Sequence, residues 1–346
     1  MNKDSQKKVR VLVVDDSALF RNQLKKALES DGNIEVVGMA ADPYEARDII
    51  LKLHPDVMTL DVNMPKMNGI DFLKKLMPQY PMPVVVVSSA NGIVFDAIQA
   101  GAVDFVEKPS RAQASVVEAM ISELIMKVKV ASKSNVIRKR KRKITQGRVS
   151  KAPLTTATDK VIAIGASTGG TEAIFEVIKK FPSDCAPTVI VQHMPAVFTK
   201  LYAERMNQSC QVSVKEAMDG DWVEKGTVLI APGEHHMTLK KNGNKFQVKL
   251  SRSEKVNGHR PSVDVMFDSV AECVGKKAVG VILTGMGKDG AQGLLNMRRG
   301  GARTIGQDPG TCVVYGMPKA AFEIGAVEYQ LPLPDITDQI IKLLAD

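Results

Sequence analysis

The chain has 346 residues, 44% apolar and 25% charged. That length suits two domains, each with its own core, and the composition is that of a soluble globular protein. The start, Met1 to Arg10, is polar and has no signal-peptide core, and no apolar run approaches the roughly 20 residues that cross a bilayer, so the expectation is a cytoplasmic chain with no membrane span. The net charge of +9 invites nucleic acid, but eleven Lys/Arg and no Asp/Glu fall between Lys127 and Lys151, leaving −2 for the rest. The excess sits in one short segment and not on a folded face, and no nucleic-acid partner is expected.

Over the first ~120 residues, short apolar runs alternate with helical stretches, the pattern of a parallel α/β sheet. Strands are expected at Val9–Val14, Ile34–Ala40, Val57–Asp61, Val84–Ser88 and Asp104–Glu107, and helices at Leu19–Glu29, Pro43–Leu53 and Ala112–Val128. The polar, basic stretch that follows is too self-repelling and too poor in large apolar residues to form a core, and reads as a linker. From Lys160 the alternation resumes. Strands are expected at Val161–Gly165, Thr188–Gln192, Val212–Lys215, Val228–Ala231, Phe246–Ser251, Ala278–Thr284 and Ala302–Gly306, and helices at Thr171–Lys180, Val263–Cys273 and Ala291–Arg299. Cys185, Cys210, Cys273 and Cys312 have no metal-ligand spacing and read as reduced, mostly buried thiols.

Asp15 and Asp16 end the first strand and Asp61 the third. In an open parallel sheet, ligands bind beyond the carboxyl ends of the strands, so three carboxylates converge there. Crowded carboxylates repel unless a cation offsets them, and an all-oxygen set suits Mg²⁺. A free carboxylate beside that ion can take a phosphoryl group. Ser88, ending the fourth strand, can hydrogen-bond the phosphoryl oxygens, and Lys108, after the fifth, can pair with them; Lys108-Pro109 is a candidate cis step. A lone strand-end aspartate is usually a turn former or helix cap, but all five residues at successive strand ends form a pattern.

VLVVDDS (11–17), LDVNMPKMNGIDFL (60–73), VVVVSS (84–89) and AGAVDFVEKP (100–109) resemble the receiver domain of bacterial response regulators. The resemblance implies a doubly wound, flavodoxin-like domain over residues 8–125 with Asp61 as phospho-acceptor. It implies Mg²⁺ on Asp16, Asp61 and the backbone carbonyl of Asn63, with Asp15 helping through water. It also makes Ser88 and Phe105 the positions that couple phosphorylation to output.

Gly165-Ala166-Ser167-Thr168-Gly169-Gly170 lies between an expected strand and helix, the context in which G-x-S-x-G projects a serine from a sharp turn. N–H groups at the following helix N-terminus can stabilise an oxyanion. The next strand ends in His193, and a right-handed crossover would bring it to the same edge as a general base. A third strand leads into Gly285-Met286-Gly287-Lys288-Asp289, where Asp289 can orient the imidazole. The order Ser, His, Asp is not that of the α/β-hydrolases. GMGKDG is also a literal G-x-G-x-x-G with Asp308 downstream, so a nucleotide-linked oxidoreductase is an alternative. His235-His236 are neighbours that would point to opposite strand faces, His54 reads as a surface or capping group, and His259 with Arg260 either touches an acidic substrate segment or lies on the surface.

AIGASTGGTEA (163–173), QHMP (192–195), APGEHHM (231–237), RPSVDVMF (260–267), LTGMGKDGAQGL (283–294) and DPGTCVVYGMPKAA (308–321) resemble the chemotaxis protein-glutamate methylesterases, CheB. With the receiver, the resemblance spans nearly the whole chain, giving a receiver over 8–125, a basic linker over 126–158 and a mostly parallel α/β hydrolytic domain over 159–346. It implies a serine esterase with catalytic Ser167, His193 and Asp289 and oxyanion donors near Thr168 and Met286, needing no cofactor for hydrolysis. The implied substrates are γ-methyl glutamyl esters of methyl-accepting chemotaxis receptors, with glutamine deamidation an open addition. The implied phosphodonor is the histidine kinase CheA, and the implied working place is the receptor array. Covering of the site by unphosphorylated receiver is the expected control. A phospho-regulated adaptor with an inactive hydrolase domain is the alternative from another class.

Overall fold

The computed structural model describes residues 7–89, 93–109, 114–134 and 160–346, which fall into two compact units, within Met1–Lys143 and Ile144–Asp346. The first unit is a parallel sheet of β1 (Val9–Val14), β2 (Ile34–Ala40), β3 (Val57–Leu60), β4 (Val84–Ser88) and β5 (Asp104–Glu107), in the order β2-β1-β3-β4-β5. Its helices are α1 (Ala18–Glu29), α2 (Pro43–Leu53), α3 (Gly69–Gln79), α4 (Ile93–Gln99) and α5 (Ala114–Ala131). Every residue of β3 and β4 is buried, as expected of strands covered on both faces. The helices start where local chemistry satisfies their free N–H groups: the Ser17 hydroxyl accepts from Phe20, Asp42 from Tyr44 and Glu45, and Asn68 from Asp71. His54 closes α2 in the left-handed conformation (φ 48°), just ahead of Pro55, in the capping role expected of it.

The helices at 69–79 and 93–99 are not announced by the sequence pattern. The buried set of α3, Gly69, Phe72, Leu73 and Leu76, has helical spacing, but Pro78 in its last turn obscures it. The helix α5 runs to Ala131, through the first residues assigned to the linker, while 135–159 lie outside the described residues. The cis peptide among the described residues is Arg260–Pro261, not Lys108–Pro109.

The second unit has seven parallel strands: β6 (Val161–Ala166), β7 (Thr188–Gln192), β8 (Ser213–Glu216), β9 (Thr227–Ile230), β12 (Ala278–Ile282), β13 (Arg303–Gln307) and β14 (Tyr329–Leu331), in the order β14-β13-β12-β6-β7-β9-β8. An antiparallel hairpin, β10 (His236–Asn242) and β11 (Lys245–Ser251), pairs Asn242 with Lys245 and turns at Gly243–Asn244. The helices are α6 (Gly170–Ile178), α7 (Ala196–Ser209), α8 (Val263–Cys273), α9 (Ala291–Arg299), α10 (Met317–Glu323) and α11 (Leu333–Ala345). Fully buried Phe181, Phe198 and Phe267 belong to its core, each contributing about 1.5–3 kcal/mol through burial. From β6 the chain builds outward through β7, and it later returns to lay β12 on the other flank of β6. A crevice therefore opens beyond the carboxyl ends of β6 and its two neighbours, where ligands of open α/β sheets bind.

The elements α7, α10, α11, β10 and β14 lie outside the expected set. The strand β14 pairs only three residues, all half-buried, and such a segment gains its structure from its neighbour more than from its own pattern. The four cysteines are free: Cys185 and Cys312 are buried and the other two half-buried. Burial pushes the thiols of Cys185 and Cys312 up to about 12, which keeps them unreactive.

Candidate active site

The carboxyl edge of the first sheet gathers Asp15, Asp16 and Asp61, with one carboxylate oxygen from each within 4.8 Å of the others. Asp15 and Asp61 are buried and Asp16 is exposed. Lys108 places its Nζ 2.8 Å from Asp15 Oδ2 and 3.0 Å from Asp61 Oδ2, and 4.2 Å from the centre of the Phe20 ring. Burial, with the Asp61 charge adding to it, lifts the Asp15 carboxyl above its ordinary value against the pull of Lys108. Burial alone would lower Lys108, but its two carboxylate bonds outweigh that and raise it. The cluster is thus an anionic pocket that holds a cation at its rim, and its oxygen donors fit a small hard divalent ion. The Asn63 N–H donates to Asp61 Oδ1 at 3.2 Å. Ser88 is buried at the end of β4, and its hydroxyl donates to the Ser89 carbonyl at 3.4 Å. Phe105 is buried edge-on to Phe95, centroids 6.1 Å apart.

Lys127 on α5 was missed. Its Nζ lies 3.0 Å from Asp104 and 2.8 Å from Glu123 and donates to the Phe105 carbonyl. Burial opposes its charge, but the two carboxylates outweigh this and raise it. Its sequence signal, one lysine in a run of basic residues, pointed to solvent.

In the second unit, Ser167 follows β6 and His193 follows β7, after the paired residues Ala166 and Gln192. The turn is pinned from several sides. Ser167 N–H donates to the Thr284 carbonyl at 3.0 Å, Gly170 N–H to the Ser167 carbonyl at 2.7 Å, and Gln192 Nε2 to the same carbonyl at 2.9 Å. Gly169 has φ 76°, and a Cβ there would sit 2.7 Å from Val313, so only glycine fits. Thr168 is buried beside it and Met286 is 39% exposed; among the described residues the Met286 N–H meets no acceptor.

Asp289 is buried beyond β12, and its Oδ2 lies 2.9 Å from His193 Nε2. It sits at the N-terminus of α8, accepting from Val263 N–H (2.7 Å), Asp264 N–H (3.3 Å), Ser262 Oγ (2.7 Å) and Asn257 Nδ2 (2.9 Å). Burial alone would push its carboxyl up. The bond and charge of His193, with the Asn257 and Ser262 donors, override this and hold it well below the usual carboxylate range. An ionised carboxylate only accepts, so His193 Nε2 carries the proton and Nδ1 offers a lone pair. His193 Nδ1 is buried with no partner among the described residues. The edge therefore assembles a hydroxyl, an imidazole with a free acceptor, and an ionised carboxylate.

His259 stacks on His193 at 3.8 Å between centroids and 11° between planes. This is neither a contact to an acidic substrate segment nor a plain surface position. Burial, and then the neighbouring His193, pull it down to about 4. His235 and His236 diverge as expected: His236 is fully buried, with Nε2 bonded to the Glu254 carbonyl and Nδ1 to Ser262 N–H, and His235 Nε2 accepts from Arg252. In GMGKDG, Asp289 is engaged by these partners, and Asp308 accepts from Thr311 N–H at 3.0 Å.

Residues 162–340 match the family model of the CheB methylesterase and residues 11–120 that of the response regulator receiver domain. A relative in Syntrophomonas wolfei, named protein-glutamate methylesterase/protein-glutamine glutaminase 2, is 54% identical over 342 residues, 98% of each chain. A protein-glutamate methylesterase/protein-glutamine glutaminase of Syntrophotalea carbinolica is 54% identical over 348 residues, covering 98% of this chain and 99% of its own. The crystal structure of the Thermotoga maritima CheB methylesterase catalytic domain is 43% identical, covers 53% of this chain and 98% of its own, and superposes with a TM-score of 0.52. With its receiver at one end and its Ser-Thr-Gly turn at the other, the chain belongs to the CheB methylesterase family.

Proposed function

We propose that the protein hydrolyses γ-methyl esters of glutamate on chemoreceptors, releasing methanol, with Ser167 as nucleophile, His193 as general base and Asp289 as the group that orients and charges the imidazole. Glutamine deamidation by the same acyl-transfer chemistry, named in its relatives, belongs to the reading. The observation that carries it is the polarity of His193: Nε2 is tied to an ionised carboxylate, while buried Nδ1 stands unpartnered at the edge that holds Ser167. Nδ1 takes the hydroxyl proton as Oγ attacks the ester carbonyl, through a bond that tightens when substrate is bound. The Met286 N–H and the N–H groups around Thr168 stabilise the tetrahedral oxyanion, each donor contributing about 10²–10³ in rate. The imidazolium returns its proton to departing methoxide, and water repeats the sequence on the acyl-enzyme to give glutamate.

Control is assigned to the other unit. Asp61 accepts the phosphoryl group, from CheA in the cell, and Ser88, Phe105 and Lys108 respond to it. Asp16, Asp61 and the Asn63 carbonyl would hold Mg²⁺, with Asp15 acting through water; the ion supplies charge neutralisation for phosphoryl transfer. Residues 8–125 act as receiver and 159–346 as esterase, with the basic 126–158 segment between them. The receiver restrains the esterase until phosphorylated, at receptor arrays. No helix among the described residues is long and apolar enough to cross a membrane.

The test is methanol release from a methylated receptor fragment by the full chain, with and without a small-molecule phosphodonor. Ser167→Ala should abolish release, and Asp61→Asn should keep basal release and lose the stimulation. Undiminished release by Ser167→Ala would overturn the reading.

A further inference from the structure

The segment between β11 and α8 folds back over the candidate site. Its tip, Val256-Asn257-Gly258-His259, is a two-residue hairpin turn: Val256 N–H donates to the His259 carbonyl at 3.1 Å, and His259 N–H to the Val256 carbonyl at 2.9 Å. Both central residues have positive φ, 53° and 81°, the type I′ geometry that Asn-Gly favours. Such a turn is rigid for its size, and it presents two side chains to the site. The Asn257 amide donates 2.7 Å to Asp264 Oδ2 and 2.9 Å to Asp289 Oδ1, bridging the two carboxylates. His259 lies flat on His193.

We propose that this turn is a brace that sets the orientation of the His193–Asp289 pair, with Asn257 and His259 as its positioning residues. The proposal rests on the reading of Ser167, His193 and Asp289 as the reacting set. The two contacts act on different degrees of freedom. The stack fixes the plane of the imidazole, and so the direction in which Nδ1 projects. The amide fixes the rotation of the carboxylate by holding Oδ1 while Oδ2 accepts from His193. Asp289 is also anchored by Ser262 and the start of α8. No hydrogen bond to any other group fixes the tilt of the His193 ring among the described residues, because its Nδ1 has no partner. The stack is therefore the larger half of the brace. His259 does this as a neutral ring, which stacks on an imidazole that turns positive during the reaction without like-charge repulsion.

Three variants of the full chain separate the parts. Asn257→Gly removes the amide and keeps a residue that accepts positive φ, so the turn survives. His259→Ala removes the stack, and His259→Phe keeps a flat ring without nitrogen. Two readouts are taken: the split of kcat from KM for methyl-ester hydrolysis, and the downfield proton resonance of His193 Nε2–H, assigned by its loss in His193→Gln. Asn257→Gly and His259→Ala should each lower kcat by about 10- to 100-fold with KM unchanged, and should broaden the resonance as the proton exchanges faster with water. His259→Phe should restore both to within a few-fold of the wild type. Absence of the resonance from the wild type, its persistence unaltered in both loss variants, or a His259→Phe as impaired as His259→Ala would overturn the brace. The resonance is read without turnover, so a wild type that released no methanol would sink the esterase reading and still leave the brace decided.

Discussion

Gly285→Ala tests how far the position of Ser167 can be relaxed. Gly285 follows Thr284 at the rim of the crevice, and its backbone is tied on both sides. Its N–H donates to the Val314 carbonyl at 3.0 Å, and its carbonyl accepts from Gly316 at 3.1 Å and Met317 at 2.8 Å. A Cβ here would stand 2.3 Å from Met317 Sδ, 2.8 Å from Ser167 Cβ and 3.0 Å from Ser167 N. The sulfur belongs to a flexible side chain that can repack, at the usual overpacking cost of about 1–3 kcal/mol. No rotamer change moves the serine Cβ or N, so relief there needs a shift of the turn itself, against the bonds to Thr284, Gly170 and Gln192. Carbon atoms rest no closer than about 3.5 Å, so Ser167 must retreat by about 0.7 Å. Misplacement near 1 Å costs about 10² in rate, and kcat should fall by about 30- to 100-fold while the fold, with about 5–15 kcal/mol to lose, persists. The assay is single-substrate methanol release, paired with unfolding followed by fluorescence of Trp222, the one tryptophan, which lies in the same unit. Adding Met317→Ala to Gly285→Ala should leave kcat low. A kcat within threefold of wild type, with cooperative unfolding retained, would refute the reasoning.

Burial of neutral His259 makes the second unit sensitive to acid. Its folded value of about 4 lies below the 6.5 of the free group, so between those values the unfolded chain binds the extra proton. Stability from this group is complete above pH 6.5 and falls as pH drops toward 4, by at most about 1.4 kcal/mol per unit and by less where solvent reaches the ring edge. In urea unfolding read at Trp222, His259→Phe should flatten the wild-type decline over that window, and parallel curves would contradict it. Ser262→Ala removes both the cap of α8 and a donor to Asp289, and should cost about 1–2 kcal/mol in the same measurement. Lys127→Met strips the cation from between the half-buried Asp104 and Glu123; leaving such groups unpartnered costs about 1–3 kcal/mol, so hydrogen exchange of β5 and α5 amides should speed. Unchanged protection there would mean that the cluster holds nothing together.

Much of the fold was legible because its signals are local. The strands β6 and β7 are short apolar runs, Asp42-Pro43 announces a helix start, and the Asn242-Gly243 step announces a hairpin, whose turn lies one residue on at Gly243-Asn244. Residues after strand ends stood out because a parallel sheet brings strand ends together whatever the loops do, and this put Ser167, His193 and Asp289 on one edge before any distance was known. The segments missed were those whose structure depends on partners. The helices α10 and α11 and the strand β14 come after the last recognised strand-helix pair, and three residues of β14 are strand only because β13 lies beside them.

The amino-acid sequence by itself determined the two α/β units, the acidic and serine edges, and the family, since each is written in residue order and spacing. Tertiary structure alone decided which nitrogen of His193 faces Asp289, that His259 covers the ring, that Asn257 joins Asp264 to Asp289, and that Lys127 is half-buried between two carboxylates. These contacts join residues up to 96 positions apart. Their strength depends on burial and direction, and those exist only once the chain has closed on itself.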